Sequence, residues 1–233
     1  AVLRFDPALV SSPPLDAKTE DGGSYDPFAP GAPLTIYASG VRNAYDLVWH
    51  TNGELYVPTN GSSFGGNTPA GAAGAPCAGG GSYPGPAVPA LGSVPAQPDF
   101  LFRVLADSYY GHPNPLLCHF VLNGGNPSAG ADAAEVTQYP VGTLPDAAHG
   151  GFSHDFGLHR SPDGILEYRS SRFGAALQGK LLVARYSQGD DILVLAPGAL
   201  DPDIESAENG LPGLTGFSDP LDLVEDPDTG RIY

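Results

Sequence analysis

The stretch Asp46-Leu47-Val48-Trp49-His50-Thr51-Asn52-Gly53-Glu54-Leu55-Tyr56 reads as apolar strand, Asn-Gly turn, apolar strand. Asn-Gly accepts the positive φ of a tight turn, so the pattern predicts a β-hairpin. The arrangement returns, one residue longer, at Asp222-Leu223-Val224-Glu225-Asp226-Pro227-Asp228-Thr229-Gly230-Arg231-Ile232-Tyr233. A looser copy runs from Phe156 to Tyr168 through Asp163-Gly164. Hairpins repeated at tens of residues point to propeller blades, and the copies leave room for about three, too few to close a ring. An irregular β-sandwich with unrelated hairpins is the competing reading.

Outward from these hairpins, the 233 residues hold 32 Gly and 25 Pro, about a quarter of the chain. Both residue types weaken helices, and no stretch shows a helical apolar period, so a helical bundle is excluded. Period-two runs predict short strands at Val2 to Phe5, Leu34 to Ala38, Tyr45 to His50, Leu55 to Pro58, Phe100 to Leu105, Val136 to Tyr139, Ile165 to Arg169, Lys180 to Tyr186, Asp191 to Leu195 and Leu221 to Glu225. The expected class is all-β.

The net charge is −16, from 26 acidic and 10 basic side chains. Such a surface repels phosphate backbones and anionic headgroups, which excludes nucleic acid and membrane surfaces as partners. No apolar run is long enough to span a bilayer. Hydrophobic residues at 41% still provide a core. The chain has no Met, opens on Ala-Val-Leu-Arg-Phe-Asp and stops on Gly-Arg-Ile-Tyr, both strand-like. The expectation is a piece of a larger protein, with any export signal upstream.

Residues 61–98 carry no charge and are dominated by Gly, Ala, Pro and Ser, which predicts a long insertion within one domain spanning 1–233. Cys77 lies in that insertion and Cys118 in a second loop. Neither has a zinc-ligand spacing. A disulfide between them would contribute about 3 to 4 kcal/mol, with two free thiols as the alternative. His149, His154 and His159 recur at a spacing that suits neither helix nor strand, so loop histidines outweigh a metal site. His112, on the rigid Gly-His-Pro-Asn-Pro turn, is a candidate ligand contact. The acidic groups Asp190-Asp191, Asp201-Asp203-Glu205 and Asp219 to Asp228 read as solvated turns rather than cation sites.

The segment Ile36 to His50, with Gly40-Val41-Arg42-Asn43 at its centre, followed by Gly53 to Val57, resembles the glucose/sorbosone dehydrogenase family. The resemblance continues at Tyr109 to Pro115, Leu177 to Tyr186 and Asp219 to Leu223, and within the family it is nearest to a secreted subgroup with other extracellular modules. It implies a partial six-bladed β-propeller, the C-terminal half, binding pyrroloquinoline quinone and calcium and oxidising sugars outside the cytoplasm. By resemblance Arg42 lies against the quinone and its reacting carbonyl, with Asn43 beside it. A guanidinium suits carboxylate pairing and a developing quinone oxyanion, and a structural ion pair between blades is the competing role. The calcium loop corresponds to Asn60 to Asn67, placing Gly61, Ser62 and Asn67 at the ligand positions. Ser62 stands where the family has Pro, and Asn67 where it has Asp, which removes the ligand charge. Ser187 replaces a family lysine that pairs with the cofactor acids, leaving Arg185 as the substitute. The family's histidine base belongs to an earlier blade and matches no residue here.

Two functions follow as expectations. One is an exported, quinoprotein-type aldose dehydrogenase, extracellular, periplasmic or at the cell surface, completed by an N-terminal half. The other is a non-catalytic propeller module binding glycans or proteins, which the neutral calcium loop and the missing lysine favour.

Overall fold

The computed structural model describes residues 1–19, 21–77, 80–198 and 203–233. Its strands are β1 (Val2–Phe5), β2 (Leu34–Ala38), β3 (Val48–Trp49), β4 (Leu55–Thr59), β5 (Gly66–Thr68), β6 (Leu91–Val94), β7 (Asp99–Arg103), β8 (His154–Gly157), β9 (Pro162–Glu167), β10 (Leu181–Arg185), β11 (Asp191–Pro197) and β12 (Ile204–Asn209). Three single-turn 3₁₀ segments are the helical structure among the described residues. The all-β expectation holds. No described helix is long and apolar enough to cross a membrane.

Two antiparallel sheets have four strands, in the orders β3-β4-β7-β8 and β12-β11-β10-β9, and β1-β2 and β5-β6 form two-stranded sheets. Among the described residues two four-stranded and two two-stranded sheets stand where about three blades were expected, and no closed ring is seen. The larger sheets share one core. Tyr56, Leu101 and Phe156 of the first pack with Ile165, Leu181, Val183, Leu193 and Leu195 of the second. Burying each such aliphatic side chain contributes about 1.5–3 kcal/mol.

The hairpin copies divide. The first is a hairpin, with Val48 opposite Tyr56 and Trp49 opposite Leu55, and Gly53 turns at φ +90. The copy at Asp222 to Tyr233 closes through mutual Val224 and Tyr233 backbone bonds of 2.9 and 3.0 Å, with Gly230 at φ +69. The looser copy, Phe156 to Tyr168, is not a hairpin. Its halves, β8 and β9, belong to different sheets, the chain turns at His159 and Ser161 with φ of 55 and 45, and Gly164 lies inside β9. Gly164 is there for space, since a Cβ would press on the Asp222 backbone.

Carboxylates tie the sheets and their loops together, Glu167 buried and Asp46 and Glu225 half-buried. Glu167 accepts the Thr51 N–H at 3.0 Å and the Thr51 hydroxyl, and Asp46 accepts the Ile165 N–H at 3.1 Å. Glu225 accepts the N–H groups of Arg169 and Ser170 at 2.8 and 2.7 Å. Asp46 and Glu225 thus act as backbone acceptors, and Glu225 departs from the solvated reading of its cluster. Asp201 of the neighbouring acidic group lies outside the described residues.

Predicted strands at Val136 to Tyr139 and Leu221 to Glu225 are loops apart from one bridge, Glu225 to Ile232. Val136 and Tyr139 are buried all the same, Tyr139 accepting the Leu122 N–H at 3.0 Å. The 61–98 segment, whose Ala78 and Gly79 lie outside the described residues, contains β5 and β6 and is tied down by a Cys77–Cys118 disulfide.

Candidate functional site

β2 runs on into Ser39 and Gly40, and this extension holds the 108–112 strip. Ser39 N–H reaches Ser108 O at 2.9 Å, Tyr110 N–H reaches Ser39 O at 2.9 Å, and His112 N–H reaches Gly40 O at 2.8 Å. Gly40, at φ +76, is the point of closest approach, because a Cβ would enter the Tyr109 ring. His112 is thereby brought beside Arg42.

The Arg42 guanidinium reaches across to the loop after β4. Nη1 donates to Gly61 O at 2.7 Å and Nη2 to Ser63 Oγ at 2.9 Å. Gly61 is fixed from its other side by Asp99 Oδ1, which accepts its N–H at 2.8 Å. A Cβ at Gly61 would collide with the Pro98 and Gln97 carbonyls. Asp99, 5% exposed, also accepts the N–H groups of Arg160 and Ser161 through Oδ2 at 2.7 and 2.9 Å. One buried carboxylate thus locks the loop to the β8–β9 crossing.

A cavity of about 350 Å³ opens at this junction, walled by Arg42, Ser62, Ser63, Phe64, Asn67 and His112 among others. Arg42, Ser62, Asn67 and His112, separate in sequence, therefore meet. Gly61 borders a smaller crevice that also touches Arg42 and His112. Asn43 sits beside the loop, its carbonyl accepting the Asn60 N–H at 2.9 Å. Arg185 is elsewhere: its guanidinium is bidentate to Asp191 at 2.7 and 2.6 Å and bonds Asn209 Oδ1 at 2.8 Å, holding β10 to its neighbours.

The electrostatics are simple. Arg42 makes no ion pair among the described residues, although the chain is strongly acidic. Burial, and then the Arg42 charge, pulls the His112 pKa below the ordinary 6.5, so the imidazole is neutral at pH 7. The cavity thus presents one unneutralised guanidinium, hydroxyls, an amide and a neutral imidazole. That set suits a ligand bearing a carboxylate.

The donor set does not suit calcium. Gly61 O is occupied by Arg42, Asn67 Oδ1 accepts the Ser93 N–H at 3.2 Å, and no described cluster of three or more His, Cys, Asp or Glu could hold a metal. His149, His154 and His159 likewise do not converge. His149 packs edge-on at Tyr109, and His154 at Phe156.

Sequence reasoning missed Asp99, the residue that positions the Gly61 loop. The sequence shows only a carboxylate at the boundary between the uncharged 61–98 segment and an apolar strand, with nothing to mark the backbone groups it holds.

No family model matches the chain, and no curated protein does. Among solved structures, two described as glucose dehydrogenase match at TM-scores of 0.50 and 0.51, each at 14% identity, over 85% and 87% of this chain and 42% and 44% of theirs. The soluble aldose sugar dehydrogenase of Escherichia coli, in its apo-form, matches at a TM-score of 0.49 and 14% identity, over 95% of this chain and 47% of its own. The chain spans less than half the length of each. What it shares with the two glucose dehydrogenases is a fold.

Proposed function

We propose that the chain forms the C-terminal half of a sugar dehydrogenase-like β-propeller, in which the Arg42 cavity receives the acidic edge of pyrroloquinoline quinone. The observation that carries this reading is the Arg42 guanidinium, free of any carboxylate among the described residues, on the wall of a cavity of about 350 Å³. Two of its five N–H groups hold the loop; the remaining three would pair with a carboxylate, and its charge would stabilise a quinone oxygen that gains electrons. Bound there, the quinone would supply the hydride acceptor for a sugar's anomeric carbon. The chain's own residues supply position and charge: Asp99 fixes Gly61, Gly61 and Ser63 orient the guanidinium, and Asn43 braces the loop through Asn60. Arg185, committed to Asp191, takes no part. The base that removes the sugar hydroxyl proton, and the remaining blades, would come from the other half of the propeller.

The Cys77–Cys118 disulfide supports an oxidising compartment, hence export to the periplasm, the cell surface or the medium. The test is aldose-dependent dye reduction by the protein carrying this chain, supplied with the quinone. Turnover abolished by Arg42→Ala is the expected result; absence of any quinone-dependent turnover overturns the enzyme reading. A non-catalytic module binding glycans or proteins is the second reading, and the neutral 61–67 loop is the observation that favours it.

A further inference from the structure

We propose that the Arg42 guanidinium takes the place of a divalent cation in the 60–67 loop, making the cavity an anion site that binds carboxylate ligands without calcium. The choice of quinone as ligand rests on the reading above; the cation-free character of the loop does not.

The oxygen atoms of the loop carry the argument. Gly61 O accepts Arg42 Nη1 at 2.7 Å, and Ser63 Oγ accepts Arg42 Nη2 at 2.9 Å. Ser62 O accepts the Gln97 N–H at 2.9 Å, and Asn67 Oδ1 accepts the Ser93 N–H at 3.2 Å. Each of these four oxygens already has an N–H donor. The set is formally neutral, whereas calcium is held by six to eight oxygens that include carboxylates. The carboxylate beside the loop, Asp99, has both oxygens committed to three backbone N–H groups. A divalent ion on Gly61 O would also face the guanidinium bonded to that same atom, and like charges at such a distance repel.

What disfavours a cation favours an anion. Arg42 keeps three N–H groups beyond the two that hold Gly61 and Ser63, the Ser62 and Ser63 hydroxyls can donate, and Asn67, its oxygen committed to Ser93, presents its NH₂. His112 is neutral and adds no negative charge to oppose a carboxylate.

Two titrations decide the matter. First, calcium alone is titrated calorimetrically into the protein, into Asn67→Ala, and into Arg42→Gln combined with Asn67→Asp. Wild type and Asn67→Ala are expected to give superimposable isotherms, and the double variant to gain one site. Second, pyrroloquinoline quinone and isophthalate are titrated in EDTA and in ~1 mM calcium, the range of weak extracellular sites. Each is expected to bind equally in both, and at least about tenfold more weakly to Arg42→Gln. A wild-type calcium site lost in Asn67→Ala, carboxylate binding that requires calcium, or failure of both carboxylates to bind overturns the proposal. Isophthalate binding with no quinone binding leaves the anion site standing and overturns the quinone reading.

Discussion

At the scale of single residues, the site depends on one buried carboxylate. Asp99→Ala would strand the N–H groups of Gly61, Arg160 and Ser161 away from their acceptor. We expect a loss of about 2–4 kcal/mol in stability, read as a lowered urea midpoint, and weaker binding in the Arg42 cavity. Asn at this position keeps one acceptor and should recover part of the loss. Gly61→Ala attacks the same junction sterically, since its Cβ meets the Pro98 and Gln97 carbonyls, and about 1–3 kcal/mol is expected from that crowding. Arg42 became a candidate through the family resemblance carried by Gly40 to Asn43, and His112 through the local Gly-His-Pro turn. Asp99 was not legible, because its role lies in three backbone groups, two of which are 61 and 62 residues away.

At the scale of elements, strands with apolar alternation read correctly: β1 and β2 have the expected bounds, and β10 and β11 lie where Lys180 to Tyr186 and Asp191 to Leu195 placed them. β12 was missed because Ile-Glu-Ser-Ala-Glu-Asn is mostly polar, as suits an exposed edge strand. β5 and β6 were missed because their Gly, Asn and Ser content hides the buried Thr68, Leu91 and Val94. The Phe156 to Tyr168 copy misled through Asp163-Gly164, whose glycine serves a close approach to Asp222 rather than a turn. The disulfide spanning 41 residues gives the 61–98 segment its anchor, beside a buried cluster of Tyr83, Val88, Cys118 and Phe120. Replacing both cysteines by serine should cost about 4 kcal/mol, and reductant should lower the Tm of the wild type but not of the variant. Equal melting with and without reductant would show that the bond does not stabilise the fold.

At the scale of the whole molecule, acidity and pH act together. His112, His119, His149 and His154 all titrate below the ordinary 6.5, burial being the leading cause at each. The unfolded chain therefore takes up more protons than the folded one as pH falls past 6.5, so the stability these groups confer is complete above that pH and is lost below it. Asp163, raised by burial, acts in the opposite sense but in the carboxylate range. The expected outcome is a Tm that is flat near neutrality and declines from about pH 6.5 downward. In a chain of formal charge −16 the Arg42 guanidinium makes no ion pair among the described residues, and the central claim is that it receives an acidic ligand. The most direct measurement is an absorbance titration of pyrroloquinoline quinone into the protein and its Arg42→Ala variant. Saturable binding at one site, weakened at least about tenfold by the substitution, is predicted. Binding that is absent, or unchanged in the variant, would contradict it.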